Sequence, residues 1–426
     1  MNDRDLDNTY LGHFWLPHMD EASAVEGVMK LNKDGATVLL RARMGDEMLN
    51  DSIIFARLQG SCTQATLLNC FSSWELDAKG AVLLSRIDST LAAMGSLRED
   101  IGAYCCEFRV PGSEKWLNDS CFDLEIGEGG EMHLHFKALE SFESDLTNGL
   151  KLERIYRALI AGARSGTEKY EIVRRMIYRV KSESRMTLDD YWSKMIRLRR
   201  LFEFLMRRSL TCEEIKLYEV APITSYEPDI DIHHAKLSSP ENRSEINKHD
   251  FLVHSHDVKG GINELVVKWM AFIEKYPAPL DHYFHAFDRQ HKDPVLHFVW
   301  NVAALEELHK MRFGRKLPGN KSHNLIDQLK AMRERWIGAF HKMPSDEVLT
   351  HIKDSRHYHA HAAADLRDKA AKGWWLFRYG DFLMALSNLE ILSHLGFTKQ
   401  EAIALTRHNH WMREALDLTI YPGSDD

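Results

Sequence analysis

The feature that most constrains this chain is a change of hydrophobic period along it. Phe122, Leu124 and Ile126, then Met132, Leu134 and Phe136, occupy alternate positions on either side of GEGGE, the pattern of a two-stranded hairpin. Phe298, Val302, Leu305 and Leu308 recur instead at every third or fourth position, the stripe of an amphipathic helix. A chain that keeps the two patterns in separate stretches is an α+β protein of more than one domain, and 426 residues are enough for two or three.

From Leu11 to about Leu139 the sequence reads as short strands between turns, among them ATVLLRAR and SIIFARLQG. From about 146 to 210 it reads as helix, with a basic run from Arg174 to Arg208 that includes Arg175, Arg199 and Arg200. That run is either the solvated face of amphipathic helices or a track for an RNA backbone, and its position does not decide between them. EIKLYEVAPIT returns to strand, and Tyr226 to Gly261 is polar and aperiodic, as a long loop would be. The turn signals YPAPLDHY and RQHKDP place the main boundary near Asp293. The expected domains are therefore 1–292, β-rich with a helical middle segment, and 293–426, an all-α bundle. Its further stripes are Leu325, Leu329, Met332 and Trp336, a helix after Pro344, a helix from Trp375 to Leu395 stopped at Gly396, and a last helix N-capped by Thr398.

A net charge of −8 means that any nucleic-acid contact must come from a local basic patch. The six cysteines form no CxxC pair, which suits a reducing cytoplasm. The N-terminal MNDRDLDNTYLGHFWLP has no basic, then apolar, leader pattern, and no stretch approaches the roughly 18 apolar residues of a membrane span. A cytoplasmic protein without membrane contact is expected. Of 23 histidines, 16 lie between His233 and His361, so the latter half is where proton-transfer chemistry near neutral pH is to be sought.

The segment DSRHYHAH, Asp354 to His361, puts an arginine and three histidines into six positions. With Ser345 as N-cap and a helix from about Asp346 to Lys372, Val348, Ile352, Ser355, His359, Ala362, Leu366 and Ala370 form the core stripe. His359 then reads as a core histidine held by hydrogen bonds. His357 and His361 lie one turn apart on the opposite side, with Arg356 at the stripe's edge and Lys353 between Arg356 and His357. Such a face meets water, a substrate or another subunit. Metal chelation by His357 and His361 lacks an HExxH and has an arginine beside it, and no GxSxG supports a nucleophilic serine. Acid–base catalysis on a phosphodiester needs a group that exchanges protons near pH 7 and a permanent cation for the phosphoryl oxygens, which histidine and arginine supply without metal. RNA carries its own nucleophile, the 2′-OH. On a straight helix, however, Arg356 and His361 project about 140° apart, so either the arginine wraps round or a second copy completes the site. A dimer is expected.

These residues resemble a known pattern. RHYHAH resembles the RxxxxH motif of HEPN domains, with His357 at the polar position after arginine. AALEELHKMRFG and LEILSHLGFTKQEAIAL resemble the first and closing helices of the HEPN domain in the ApeA family. LGHFWLP, Gly27-Val28-Met29, ARLQG and the TLLNC run from Thr66 to Cys70 are similar to that family's N-terminal domain. The resemblance covers nearly the whole chain. It implies a homodimeric bacterial anti-phage protein acting by abortive infection: a metal-independent, cofactor-free endoribonuclease leaving a 2′,3′-cyclic phosphate and a 5′-hydroxyl. Carried over by position, Arg356 would stabilise the scissile phosphate and His361 would transfer the proton or orient the 2′-OH. His357, Glu306 and His309 would support them, and Lys353 would contact RNA. The substrate would be a transfer RNA or another cellular RNA, and the N-terminal domain would sense a phage-derived trigger or restrain the bundle.

Two rivals stand beside this reading. One is a non-catalytic HEPN dimer that binds RNA or protein as a sensor. The other is a metal-dependent hydrolase built on HDFLVHSHD, with His249, His254, His256 and Asp257; EDTA sensitivity separates it from the metal-free reading.

Overall fold

The computed structural model describes residues 9–32, 35–42, 52–60, 64–76, 82–117, 122–126, 132–136, 142–146, 149–161, 171–219, 229–234, 247–290, 292–314 and 324–418. The chain divides into two compact units, Met1–Arg199 with Leu210–Ile246, and Arg200–Ser209 with Asn247–Asp426. Among the described residues no helix is long and apolar enough to cross a membrane.

The first unit is β-rich. Its strands are β1 (Thr9–Trp15), β2 (Val25–Asn32), β3 (Gly35–Leu40), β4 (Ser52–Leu58), β5 (Gln64–Leu76), β6 (Val82–Met94), β7 (Gly102–Arg109), β8 (Phe122–Ile126), β9 (Met132–Phe136), β10 (Phe142–Asp145), β11 (Leu150–Ala161), β12 (Glu171–Thr187), β13 (Glu213–Tyr218) and β14 (Ile230–His234). A short helix α1 (Ser113–Leu117) follows β7, and α2 (Leu188–Met206) follows β12.

β6 is long enough to serve two neighbours on one edge. Its residues Ser85–Ser89 pair with β3 and Leu91–Met94 pair with β14, while β5 runs along the other edge. The strands in the order β6, β3, β2, β1, β4, β5 therefore close on themselves as a six-stranded barrel, which leaves none of them with a free edge. Period-2 sequence fills it: Ala36, Val38 and Leu40 from β3, and Ile54, Ala56 and Leu58 from β4, all point inward with Phe14, Met29 and Leu67. Gly12 and Gly27 face each other across β1 and β2. A Cβ at either would stand 2.6 Å from a carbonyl oxygen of the next strand, so only glycine lets the strands approach this closely.

Beyond β14 the same sheet continues through β13, β7, β12, β11 and β10. Here the expectation of helix from 146 to 210 is corrected, because residues 150–161 and 171–187 form β11 and β12 and, among the described residues, only Leu188–Met206 of that stretch is helical. The charged residues that look helical locally are a cross-strand ladder. Glu153, Arg179, Glu107 and Lys216 are successive register partners across β11, β12, β7 and β13. Glu107, 1% exposed, accepts hydrogen bonds from Arg179 Nε (2.9 Å), Arg157 Nη2 (3.1 Å) and the Tyr218 hydroxyl (2.9 Å). A buried carboxylate is tolerated only with such partners. β14 also replaces part of the loop expected from Tyr226 to Gly261, with Ile230 and Ile232 buried at alternate positions. The hairpin around GEGGE is present as β8 and β9, Phe122 opposite Phe136 and Ile126 opposite Met132; its turn lies outside the described residues. So do residues 220–228, the end of EIKLYEVAPIT, whose beginning is β13.

The second unit is helical. It contains α3 (Gly261–Lys275), α4 (Pro277–Arg289), α5 (Pro294–Phe313), α6 (Leu325–Arg335), α7 (Asp346–His361), α8 (Trp374–His394), α9 (Lys399–His408) and α10 (His410–Ala415). Helix thus begins at Gly261, and Asp293 is the N-cap of α5, accepting from the backbone N–H groups of Val295 and Leu296 at 3.0 Å each. The expected stripes are buried: Phe298, Val302, Leu305 and Leu308 on α5, and Leu325, Leu329, Met332 and then Trp336 along and just after α6. α8 is buried on all sides from Tyr379 to Leu392, as befits a central helix, and carries Asp381, Asn388 and Glu390 into that interior. Thr398 caps α9 and exchanges hydrogen bonds with Glu401 in a capping box.

Burial holds the pKa of His233, His351 and His394 below the usual 6.5 in each case, and for His394 the nearby Arg312 adds to it. On acidification the unfolded chain binds these protons first, so stability is fully present above about pH 6.5 and is lost as pH falls through the folded values. The expected result is a denaturant midpoint that falls between about pH 7 and pH 5, measured by circular dichroism.

Candidate active site

α7 is built to end at the site. Ser345 caps its start, accepting from the Val348 N–H at 3.3 Å. Asp346 in its first turn binds Lys330 (2.6 Å) and Arg333 (2.8 Å) of α6, favourable both as ion pairs and against the helix dipole. Val348, Leu349, Ile352 and Ser355 form the dry face. The helix stops at His361 rather than at Lys372, because Ala362 adopts φ 52°, ψ 38°, the left-handed conformation that terminates helices. The chain then turns back along α7. The Ser355 hydroxyl accepts from the Ala371 N–H (2.8 Å), and His359 Nε2 donates to the Ala371 carbonyl (2.9 Å). His359 is accordingly half-buried with its hydrogen bond made, and Ala362, expected in the core, is exposed.

An alanine in this conformation is strained relative to glycine. Ala362→Gly is therefore expected to stabilise the chain by about 0.5–1 kcal/mol, read as a higher denaturant midpoint.

Arg356 and His361 meet within one chain. Arg356 Nη1 lies 2.7 Å from His361 Nε2, so the angular obstacle of a straight helix is overcome by the length of the arginine and the position of His361 at the helix end. Guanidinium only donates, so in this contact His361 Nε2 is the acceptor. On the other side, Arg356 Nη2 is 3.6 Å from Glu306 Oε2 on α5. The His357 ring is exposed and meets His361 edge to face at 5.3 Å. Lys353 is paired with Asp354 at 2.9 Å.

The structure thus groups Arg356, His361, His357 and Glu306. His309 is separated from them in accessibility: it is fully buried, with its ring 4.6 Å from that of Phe313. The basic residues further upstream lie on two elements, β12 and α2. Arg175, on β12, is bound to Glu214 at 3.1 Å; the side chain of Arg174 lies outside the described residues. Arg199 is half-buried on α2. Arg200 is engaged by Asp288 and Glu203, each at 2.7 Å. Sequence reasoning passed over Ser355 as a hydrogen-bonding anchor, although a hydroxyl in an otherwise apolar stripe is the signal for one.

In HDFLVHSHD the His254 and His256 rings stack at 5.2 Å, and the Asp257 carboxylate accepts from the His254 backbone N–H at 3.0 Å. Among the described residues no group of three or more His, Cys, Asp or Glu side chains is placed to hold a metal ion.

A model of the ApeA N-terminal domain 1 family matches residues 9–269, more than half of the chain. The chain belongs to the ApeA N-terminal domain 1 family. ApeA membership places it among anti-phage defence proteins. The matched stretch takes in the barrel, the rest of its sheet and the start of the helical unit, and ends ahead of the helices that carry Glu306, Arg356 and His361. No curated protein and no solved structure matches the chain.

Proposed function

We propose that this ApeA-family chain is a metal-independent endoribonuclease of the HEPN type, with its active centre at the end of α7. The observation that carries the reading is the approach of Arg356 to His361 at 2.7 Å on an accessible helix end. A cation that cannot lose its proton stands beside an imidazole whose free lone pair can accept one. When a phosphodiester enters, its non-bridging oxygens replace His361 as acceptors for the guanidinium. His361 Nε2 is thereby released to take the proton of the ribose 2′-OH. The O2′–P bond forms, the P–O5′ bond breaks, the leaving O5′ takes a proton from water, and His361 returns its own proton to solvent, giving a 2′,3′-cyclic phosphate and a 5′-hydroxyl. Glu306 holds the guanidinium from the far side, and Lys353 and His357 flank the approach.

The homodimer remains part of this reading on the resemblance alone, since one chain already unites arginine and histidine. The β-rich unit has the part of sensing a phage-derived trigger or restraining the bundle. A second reading, an RNA- or protein-binding dimer without catalysis, is favoured by one observation: Arg356 is at present satisfied by His361 and Glu306.

Total cellular RNA incubated with the purified chain in EDTA separates the two. Fragments with cyclic-phosphate ends are the expected result, from the chain alone or with infected-cell extract added. Intact RNA under both conditions would leave the binding module.

A further inference from the structure

The two tryptophans that open α8 differ in exposure. Trp375 is half-buried, its ring 6.2 Å from that of Tyr379, whose hydroxyl in turn bonds His351 Nδ1 of α7 at 2.7 Å. Trp374 is 65% exposed, the most exposed of the large apolar side chains among the described residues. Its indole is nevertheless supported. The Phe377 ring stacks at 5.8 Å, and the Arg378 guanidinium lies 5.9 Å from the indole centroid while its Nη2 is held by the carbonyls of Glu414 and Asp417 at 2.8 Å each. Gly373 enters the helix at φ 50°, ψ −120°, a conformation that L side chains rarely adopt, and this abrupt entry leaves Trp374 projecting.

The place of this platform relates it to the site. Ala371 is fixed to Ser355, the residue before Arg356, and to His359. Trp374 is three residues further on, at most about 11 Å of chain. Arg367, Lys369 and Lys372 are exposed on the segment between His361 and Trp374 and outnumber Asp365 and Asp368. An aromatic face among cations, within a few nucleotides' reach of a phosphate-binding arginine, is the combination that single-stranded nucleic acid engages: bases stack while the backbone meets the charges.

We infer that Trp374 is a stacking residue for an unpaired base of the RNA substrate, a few nucleotides from the bond cut beside Arg356 and His361. The inference rests on the ribonuclease reading and adds to it a preference for unpaired RNA. Paired bases keep their faces covered, so a duplex offers this indole nothing to stack on.

The test uses the full chain and a short labelled 2′-O-methyl oligonucleotide, single-stranded, which binds as RNA but lacks the nucleophile. Affinity is measured by fluorescence anisotropy at fixed salt. Trp374→Ala is expected to weaken binding about tenfold, the scale of one base–aromatic stack, and Trp374→Phe to retain most of it. An abasic nucleotide at one position should weaken binding to the wild type and cost nothing further in Trp374→Ala. Equal affinities for wild type and Trp374→Ala overturn the inference while the ribonuclease reading, judged separately by cleavage in EDTA, stands. A wild-type chain that neither binds the oligonucleotide nor cuts RNA overturns both. A Trp374→Ala chain with unchanged affinity and an altered mass by light scattering assigns the indole to a protein contact and also overturns it.

Discussion

Replacing Arg356 with alanine is expected to lower RNA cleavage by about 10²–10³-fold, the usual consequence of removing one charged donor from a developing oxyanion. The loss should appear in kcat, because the phosphoryl oxygens carry their greatest charge in the transition state. Stability should hardly change, since the side chain is partly exposed and its ion pair with Glu306 spans 3.6 Å, a weak contribution in such a setting. Lysine is expected to restore little: it offers a point charge where guanidinium presents a planar fork to two oxygens. His361→Ala should fall to a similar level, and the double variant little further, because the two act on one step. Single-turnover rates with a defined RNA check the series, with circular dichroism as the folding control. An Arg356→Ala chain within a few-fold of wild type would remove Arg356 from the mechanism.

The largest stability effect is expected at Glu390→Ala. This carboxylate on α8 is fully buried. It accepts from Arg312 Nε of α5 at 2.8 Å and from the indole N–H of Trp336 at 2.7 Å, and forms an ion pair with Arg335 Nε of α6 at 2.8 Å. The two arginines also donate to the Ser393 hydroxyl, at 2.8 and 3.0 Å. Removing the carboxylate leaves two guanidinium groups and an indole N–H facing a cavity in the middle of the bundle. Breaking a buried pair in this way costs about 3–5 kcal/mol. For a unit of this size, that loss lowers Tm by roughly 10 °C. Replacing Glu390, Arg312 and Arg335 together with methionine or leucine should be milder than the single change, because no unpaired charge remains. A single variant as stable as wild type would show that the cluster does not hold α5, α6 and α8 together.

The parts of the fold that were legible are those whose partners are local. β3 and β4 announce themselves through Ala36, Val38 and Leu40 and through Ile54, Ala56 and Leu58, because one face of each strand fills the barrel and the other meets solvent. β11 and β12 read as helix in sequence because arginine, lysine, glutamate and leucine favour helices locally. What overrides that preference is Glu107, more than forty residues away in sequence, and a charged ladder across strands leaves no short-range trace. The end of α7 was hidden for a related reason. Glycine would have marked it, but Ala362 occupies the left-handed position, and the alanines around it read as continued helix.

At the site, the pairing of arginine and histidine types was legible from spacing and resemblance, while their contact was not. It depends on a helix ending at His361, which the backbone of Ala362 decides. Glu306 and His309 looked equivalent on α5, yet three residues' difference puts one on the rim and the other in the core. Trp374 carried no signal distinguishing it from Trp375. Which of the two is exposed follows from how the chain enters α8 at Gly373.

In the proposed reaction the ribose 2′-OH is the nucleophile, and Arg356 and His361 act on it without metal. The most direct measurement follows a defined RNA, cut by the chain in EDTA, beside the same RNA with a single 2′-deoxy nucleotide at the cut position. A 2′,3′-cyclic phosphate and a 5′-hydroxyl are expected at the break in the first RNA, and no break at that position in the second. Equal cutting of both, or fragments that begin with a 5′-phosphate, would contradict that reaction.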